Sequence, residues 1–195
     1  MITHLRIQNF KCLLDVALDL APFTILIGPN DSGKSSLLDA IQLFGGSSLQ
    51  RFTERYPGPF QDLVWRKDAS RGIMWDVVGS ASGESFKYNL HVSSSGLIIG
   101  EHLSYNDQDL ILTKVENNEP SVVLSGQPHA RLQVPSAQTV LQSWTIDPLA
   151  KVAAALASTK YSLDPDALRS PARPQPAPTL TPSSDNLAAV LDAII

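Results

Sequence analysis

The sequence predicts an α/β lobe combined with an antiparallel β subdomain, and three observations carry that reading. An apolar run at Phe23–Ile27 passes through a glycine-rich turn directly into a helical pattern that ends near Phe44. Residues 72–134 hold short β-rich runs separated by Ser, Gly, Asn and Pro, at a spacing of about 10 to 12 residues that suits an antiparallel meander. Six prolines between Pro165 and Pro182 then exclude any regular element there. The expected organisation is a lobe over 1–160, a proline-rich linker over 161–182, and the start of a further helix over 183–195.

Three strands are expected in the first 27 residues. Leu5–Ile7 alternates, and Leu14, Val16, Leu18 and Leu20 alternate with Asp15 and Asp19, so both pieces read as half-exposed strands. Phe23–Ile27 is nearly continuous in apolar residues and reads as a strand buried on both faces. Leu37, Leu38, Ile41 and Phe44 then form one face of a helix, which Gly45-Gly46-Ser47-Ser48 should end. The later β runs are Ile73–Val78, Phe86–Val92, Leu97–Ile99, Leu110–Val115 and Val122–Leu124. Asp147 and Pro148 have the order of an N-cap and first helical residue, opening an alanine-rich helix through about Thr159. Ser183, Ser184 and Asp185 supply a second N-cap, followed by an apolar stripe of Leu187, Val190, Leu191, Ile194 and Ile195. That stripe stops without a cap or a cationic last turn, which predicts a fragment of a longer chain or the product of a split gene.

Composition narrows the function classes. The 195 residues are 43% apolar and 17% charged, as in a globular protein able to bury a sizeable core. The net charge of -4 leaves no global basic field, so nucleic acid would have to meet a local patch. The single Cys12 cannot form an internal disulfide, and the amino terminus lacks an apolar leader pattern, so a reducing, cytosolic setting is expected. The longest unbroken apolar run, Val152–Ala157, is far shorter than the roughly 20 residues of a membrane-spanning helix, and no membrane association is expected.

The chemistry lies in Gly28-Pro29-Asn30-Asp31-Ser32-Gly33-Lys34-Ser35, which fits G-x-x-x-x-G-K-[ST] without departure. Glycines let the backbone approach phosphate oxygens, and the N–H groups of residues 31–36, Ser36 included, point inward at the positive end of the following helix. Lys34 is placed to reach the β and γ phosphates as a point charge, and the Ser35 hydroxyl to coordinate Mg²⁺. Asn30 either senses the terminal phosphate or serves to tolerate a left-handed turn. A GTPase is not expected, because no N-K-x-D tetrapeptide occurs. A small P-loop kinase is a rival, although its loop generally follows the first strand and here two strands come earlier.

Leu5-Arg-Ile-Gln-Asn-Phe-Lys11, Leu18-Asp-Leu20 and Phe23 through Ile41 together resemble the amino-terminal lobe of the ABC-type ATPases of the SMC, RecF and OLD kind. Asp62-Leu-Val-Trp-Arg66, Leu168-Arg-Ser-Pro171 and Asn186–Leu191 resemble later positions in the RecF and OLD branch. The resemblance is dense over the first 44 residues and sparse beyond. It implies an ABC ATPase-like P-loop NTPase lobe that binds ATP with Mg²⁺. It also implies head-to-tail sandwich dimerisation, or pairing with a separately encoded second half, and action on DNA in repair or defence. Lys11 occupies the place where this family has a basic residue near the nucleotide.

Hydrolysis in this family needs an apolar strand ending in Asp-Glu, a serine-glycine signature and a late histidine, and no residue here is assigned to those roles. Ala188–Asp192 imitates the first, but in a helical pattern and followed by Ala193. Leu124-Ser-Gly-Gln127 imitates the second, but Pro128 follows. This chain alone is therefore expected to bind ATP without efficient turnover, and a non-hydrolysing regulatory module is a further alternative. Gln42 and Gln61 are both candidates for the metal-contacting glutamine. His4, His91, His102 and His129 lack metal-ligand spacing. Arg51, Arg55, Arg66, Lys67 and Arg71, interleaved with Phe52, Tyr56 and Trp65, suit either contact with DNA phosphates or a solvated loop.

Overall fold

The computed structural model describes residues 1–45, 58–116, 119–124, 127–132, 139–143, 147–157, 179–181, 186, 187 and 190. The chain divides into two compact units, Met1–Ser158 and Thr159–Ile195. In the second, the Asn186 side chain accepts the Thr181 amide at 2.9 Å and donates to Thr179 O at 2.8 Å, while the Asn186 backbone carbonyl accepts the Val190 amide at 3.1 Å. The candidate linker and terminal helix otherwise lie outside the described residues.

The first unit is built on one antiparallel sheet in the order β2-β1-β3-β4-β5-β6-β7-β8. Its strands are β1 (Ile2–Phe10), β2 (Leu13–Asp19), β3 (Ile73–Ala81), β4 (Glu84–Val92), β5 (Ile98–Tyr105), β6 (Gln108–Glu116), β7 (Glu119–Leu124) and β8 (Gln127–Leu132). Every β run expected over 72–134 is present. β1 pairs with β2 on one side and β3 on the other, so the amino-terminal hairpin and the meander share a ladder. The division between a lobe and a β subdomain has no counterpart in the hydrogen bonding, because strand proximity is set by register and not by the 62 residues separating Phe10 from Ile73.

Period-two patterning decides which face is buried. Leu5, Val77, Tyr88, Leu103 and Ile111 are successive cross-strand partners, all within the core. The opposite face carries Arg6, Asp76, Asn89 and His102 along the neighbouring row. The helices α1 (Lys34–Gly45), α2 (Val140–Ser143) and α3 (Leu149–Leu156) bury Leu37, Ala40, Leu43, Val140, Leu141, Leu149, Val152 and Leu156 in that same core cluster. Asp147 does not cap α3. Its carboxylate pairs with Lys151 at 2.9 Å, one turn on, and Pro148 occupies the N-cap position, with the helix ending at Leu156.

Phe23–Ile27 departs from expectation. The chain makes no ladder pairing there, Phe23 falls in a bend, and Phe23, Ile25 and Ile27 are 81%, 65% and 91% exposed. Only Leu26 packs against the core. The apolar run specifies that the segment favours burial, but not what covers it, and among the described residues no strand lies beside it. Ile25→Ser is accordingly expected to change the unfolding free energy by less than about 0.5 kcal/mol, where a buried isoleucine gives about 2 to 5. Urea denaturation measures this, and a loss in the upper range would place Ile25 in the core.

Candidate nucleotide-binding site

The motif occupies the turn between Ile27 and α1, and its two halves are held differently. The helical half is fixed. Leu37 donates to Gly33 O at 2.9 Å as the first helical bond, and Leu37 and Ala40 anchor the helix on the sheet. Gly33 has φ +92, and a Cβ there would lie 3.1 Å from Leu13 Cδ2 and 3.3 Å from Cys12 Sγ. The positive φ favours glycine at this position, and a Cβ would also press on the Leu13 and Cys12 side chains. The entering half, Gly28, Pro29 and Asn30, is exposed.

Lys34 folds back over that half. Its Nζ donates to Gly28 O at 2.8 Å, Pro29 O at 2.5 Å and Ser32 Oγ at 3.1 Å. An ammonium needs acceptors, and the loop carbonyls supply them in the free protein. The left-handed residue of the loop is Asp31, at φ 62, and not Asn30, one position earlier. Asp tolerates that region for the same reason as Asn, since its short polar side chain can bond locally. Ser35 is exposed at the first turn, Ser32 and Ser36 flank it, and α1 directs its positive end at the loop. The amides of Gly33, Lys34, Ser35 and Ser36 donate to no group among the described residues. Orphan amides, a lysine ammonium and an exposed hydroxyl form a donor set that fits a polyphosphate with its magnesium ion.

Lys11 lies behind the loop. It sits at φ 48 in the β1–β2 turn, and its Nζ pairs with Asp39 Oδ2 of α1 at 2.8 Å, with both side chains at most a quarter exposed. The neighbouring Cys12 thiol donates to Ser36 Oγ at 3.3 Å. Hairpin tip and helix are thus tied by an ion pair, a thiol contact and the packing on Gly33. Asp39 and Cys12 belong to no motif, so the local sequence gave no signal of either role.

The other candidates disperse. Gln42 lies two turns along α1 from Lys34, about 12 Å by helical rise, and the Gln61 amide is committed to Lys67 O at 2.7 Å. Leu124 and Gln127 are paired ends of β7 and β8, so the signature-like tetrapeptide joins two strands of a hairpin. His4 pairs with Asp19 at 2.7 Å and His102 with Asp109 at 2.8 Å, both across strands. Burial holds His91 below the usual imidazole range. His129 falls in β8, and its surroundings are outside the described side chains. Among the described residues no three His, Cys, Asp or Glu side chains converge on a metal position. Arg51 and Arg55 lie outside the described residues, as do Leu168–Pro171 and Ala188, Ala189, Leu191 and Asp192.

A phosphate-binding loop at a helix start, set against an antiparallel sheet, defines a P-loop NTPase-like α/β protein. Residues 1–125 match the AAA ATPase domain family, and the chain belongs to it. The chain is 43% identical over 76 residues to the OLD nuclease of Thermus scotoductus, a match covering 37% of this chain and 13% of that protein. It is 50% identical over 50 residues to the DNA double-strand break repair Rad50 ATPase of Halobacterium salinarum, covering 24% and 6%. It is 27% identical over 117 residues to the chromosome partition protein Smc of Methanocaldococcus jannaschii, covering 59% and 10%. These likenesses place it with the ABC-type ATPases of the SMC, RecF and OLD kind. The matched region is a small part of each relative's length.

Proposed function

We propose that this chain is the nucleotide-binding lobe of an ATPase that acts on DNA, with Gly28–Ser36 holding ATP and Ser35 contributing to Mg²⁺. The observation that carries the reading is the loop itself: orphan amides at the start of α1 beside a lysine that has no carboxylate partner among the described residues. Turnover depends on a second lobe and on a head-to-tail dimer, because the acidic strand motif and the signature are not assigned to any residue here. The exposed Phe23–Ile27 segment supports a second lobe. It is apolar on both faces, leads straight into the loop, and has the character of a strand from the middle of a sheet. A separately encoded polypeptide would satisfy it equally.

Titration calorimetry with Mg²⁺ and a slowly hydrolysed ATP analogue is expected to show one site per chain, weakened when magnesium is chelated. Phosphate release by the isolated chain is expected to stay at the background of its Lys34→Ala variant. Absence of binding would remove the proposal, and robust turnover by the isolated chain would remove the dependence on a second lobe.

A further inference from the structure

Arg6, Lys11, Lys67, Arg71, Lys87 and Lys151 each pair with a carboxylate. Among the cationic side chains the structure describes, Lys34 and Arg66 do not. Lys34 belongs to the phosphate loop, which leaves Arg66 to be explained.

Arg66 lies within the second of two 3-10 turns, Phe60–Leu63 and Trp65–Lys67, with its guanidinium carbon 4.2 Å from the centre of the Trp65 ring. Arg71 approaches the same ring at 5.1 Å. Arg66 and Lys67 both adopt left-handed backbone, at φ 54 and φ 56, a conformation that costs an ordinary residue about 1 to 2 kcal/mol. The surrounding bonds enforce it: Lys67 N to Val64 O at 2.8 Å, Asp68 N to Trp65 O at 3.3 Å, and Gln61 Nε2 to Lys67 O at 2.7 Å. The same turn disposes of the nearby acids. Asp62 pairs with Lys67 at 2.9 Å and Asp68 with Arg71 at 3.0 Å, and the Ser70 hydroxyl and amide, then Arg71, hold the Asp68 carboxyl below its usual range. The exposed Arg66 is left stacked on an aromatic ring with its N–H edge uncommitted among the described residues.

We infer that Arg66, presented on Trp65, is a phosphate contact for a nucleic-acid strand. This rests on the reading of the chain as part of a DNA-acting ATPase and adds the place of contact. A stacked guanidinium is immobilised in advance, and its planar fork matches phosphate oxygens. Lys67 and Arg71 lie close to Arg66 along the chain with Trp65 beside them, so basic and aromatic groups occur together at this turn. The site is also mechanically connected to the nucleotide loop. Phe10 bridges Val64, Lys11 N donates to Leu63 O at 2.7 Å, and that hairpin tip grips α1.

The test is fluorescence anisotropy of the full chain with labelled single-stranded and duplex oligonucleotides, across a salt series. Arg66→Glu is expected to weaken binding about tenfold and to lower the salt slope by about one, with the melting temperature and ATP binding unchanged. Arg66→Lys should fall between the two, and Lys87→Glu, at an exposed position of β4, should match wild type. The contact is overturned if Arg66→Glu binds both oligonucleotides within about twofold of wild type, or if Lys87→Glu loses as much. It is overturned in the ligand assigned if polyglutamate binds as tightly and through the same arginine. If the wild-type chain binds ATP but neither oligonucleotide, the contact fails while the nucleotide site stands.

Discussion

Lys34→Ala lowers the affinity for Mg²⁺–ATP by at least about 2 kcal/mol, roughly thirtyfold, the loss of a charge-assisted contact to the phosphates. Calorimetry reads this directly. The fold should be untouched, since in the free protein the ammonium bonds only to the exposed loop, at Gly28, Pro29 and Ser32. Lys11→Ala provides the contrast. Its ammonium is held by Asp39 at 2.8 Å, so its removal should register first as a lower melting temperature and only secondarily in nucleotide affinity. Equal affinities for wild type and Lys34→Ala would remove the loop from the site.

The largest effect on stability is expected at Glu101, which is 3% exposed in the middle of the sheet. Its carboxylate accepts the Val140 amide at 2.7 Å, the Leu141 amide at 3.1 Å and the Tyr88 hydroxyl at 2.8 Å, and so fastens the start of α2 to β4 and β5. Glu101→Ala strands three buried donors and is expected to cost about 3 to 5 kcal/mol in chemical denaturation. A loss below about 1 kcal/mol would mean that water or another group replaces the carboxylate. Burial raises the Glu101 pKa, and the hydrogen bonds from Val140, Leu141 and Tyr88 offset part of that rise. The folded state therefore holds this proton more tightly than the unfolded chain. Stability contributed by the protonated form is present below the ordinary glutamate value and is lost as pH climbs through the raised one. Glu101→Gln, which has nothing to titrate, should show a flatter profile over that interval.

Much of this architecture is legible in local sequence. The alternation of Leu5, Ile7 and Arg6, and of Trp75, Val77 and Asp76, marks strands with one wet and one dry face. The glycines, lysine and serines of residues 28–36 mark the loop, because phosphate chemistry demands those residue types at that spacing. Asp147 failed as an N-cap because an acid has two outlets, a backbone amide or a cation one turn away, and Lys151 provides the second.

Pattern, spacing and residue chemistry determined most of the strands, the helices α1 and α3, the phosphate-loop motif and the expectation that Phe23–Ile27 seeks cover. Tertiary structure alone decided that the hairpin and the meander make one sheet, that Lys11 serves Asp39, that Glu101 anchors α2, and that Arg66 is left without an acid among the described residues. The division has a physical cause. Periodicity and turn preference act between residues close along the chain, whereas an ion pair or a buried hydrogen bond depends on which distant segments the folded backbone brings within about 3 Å.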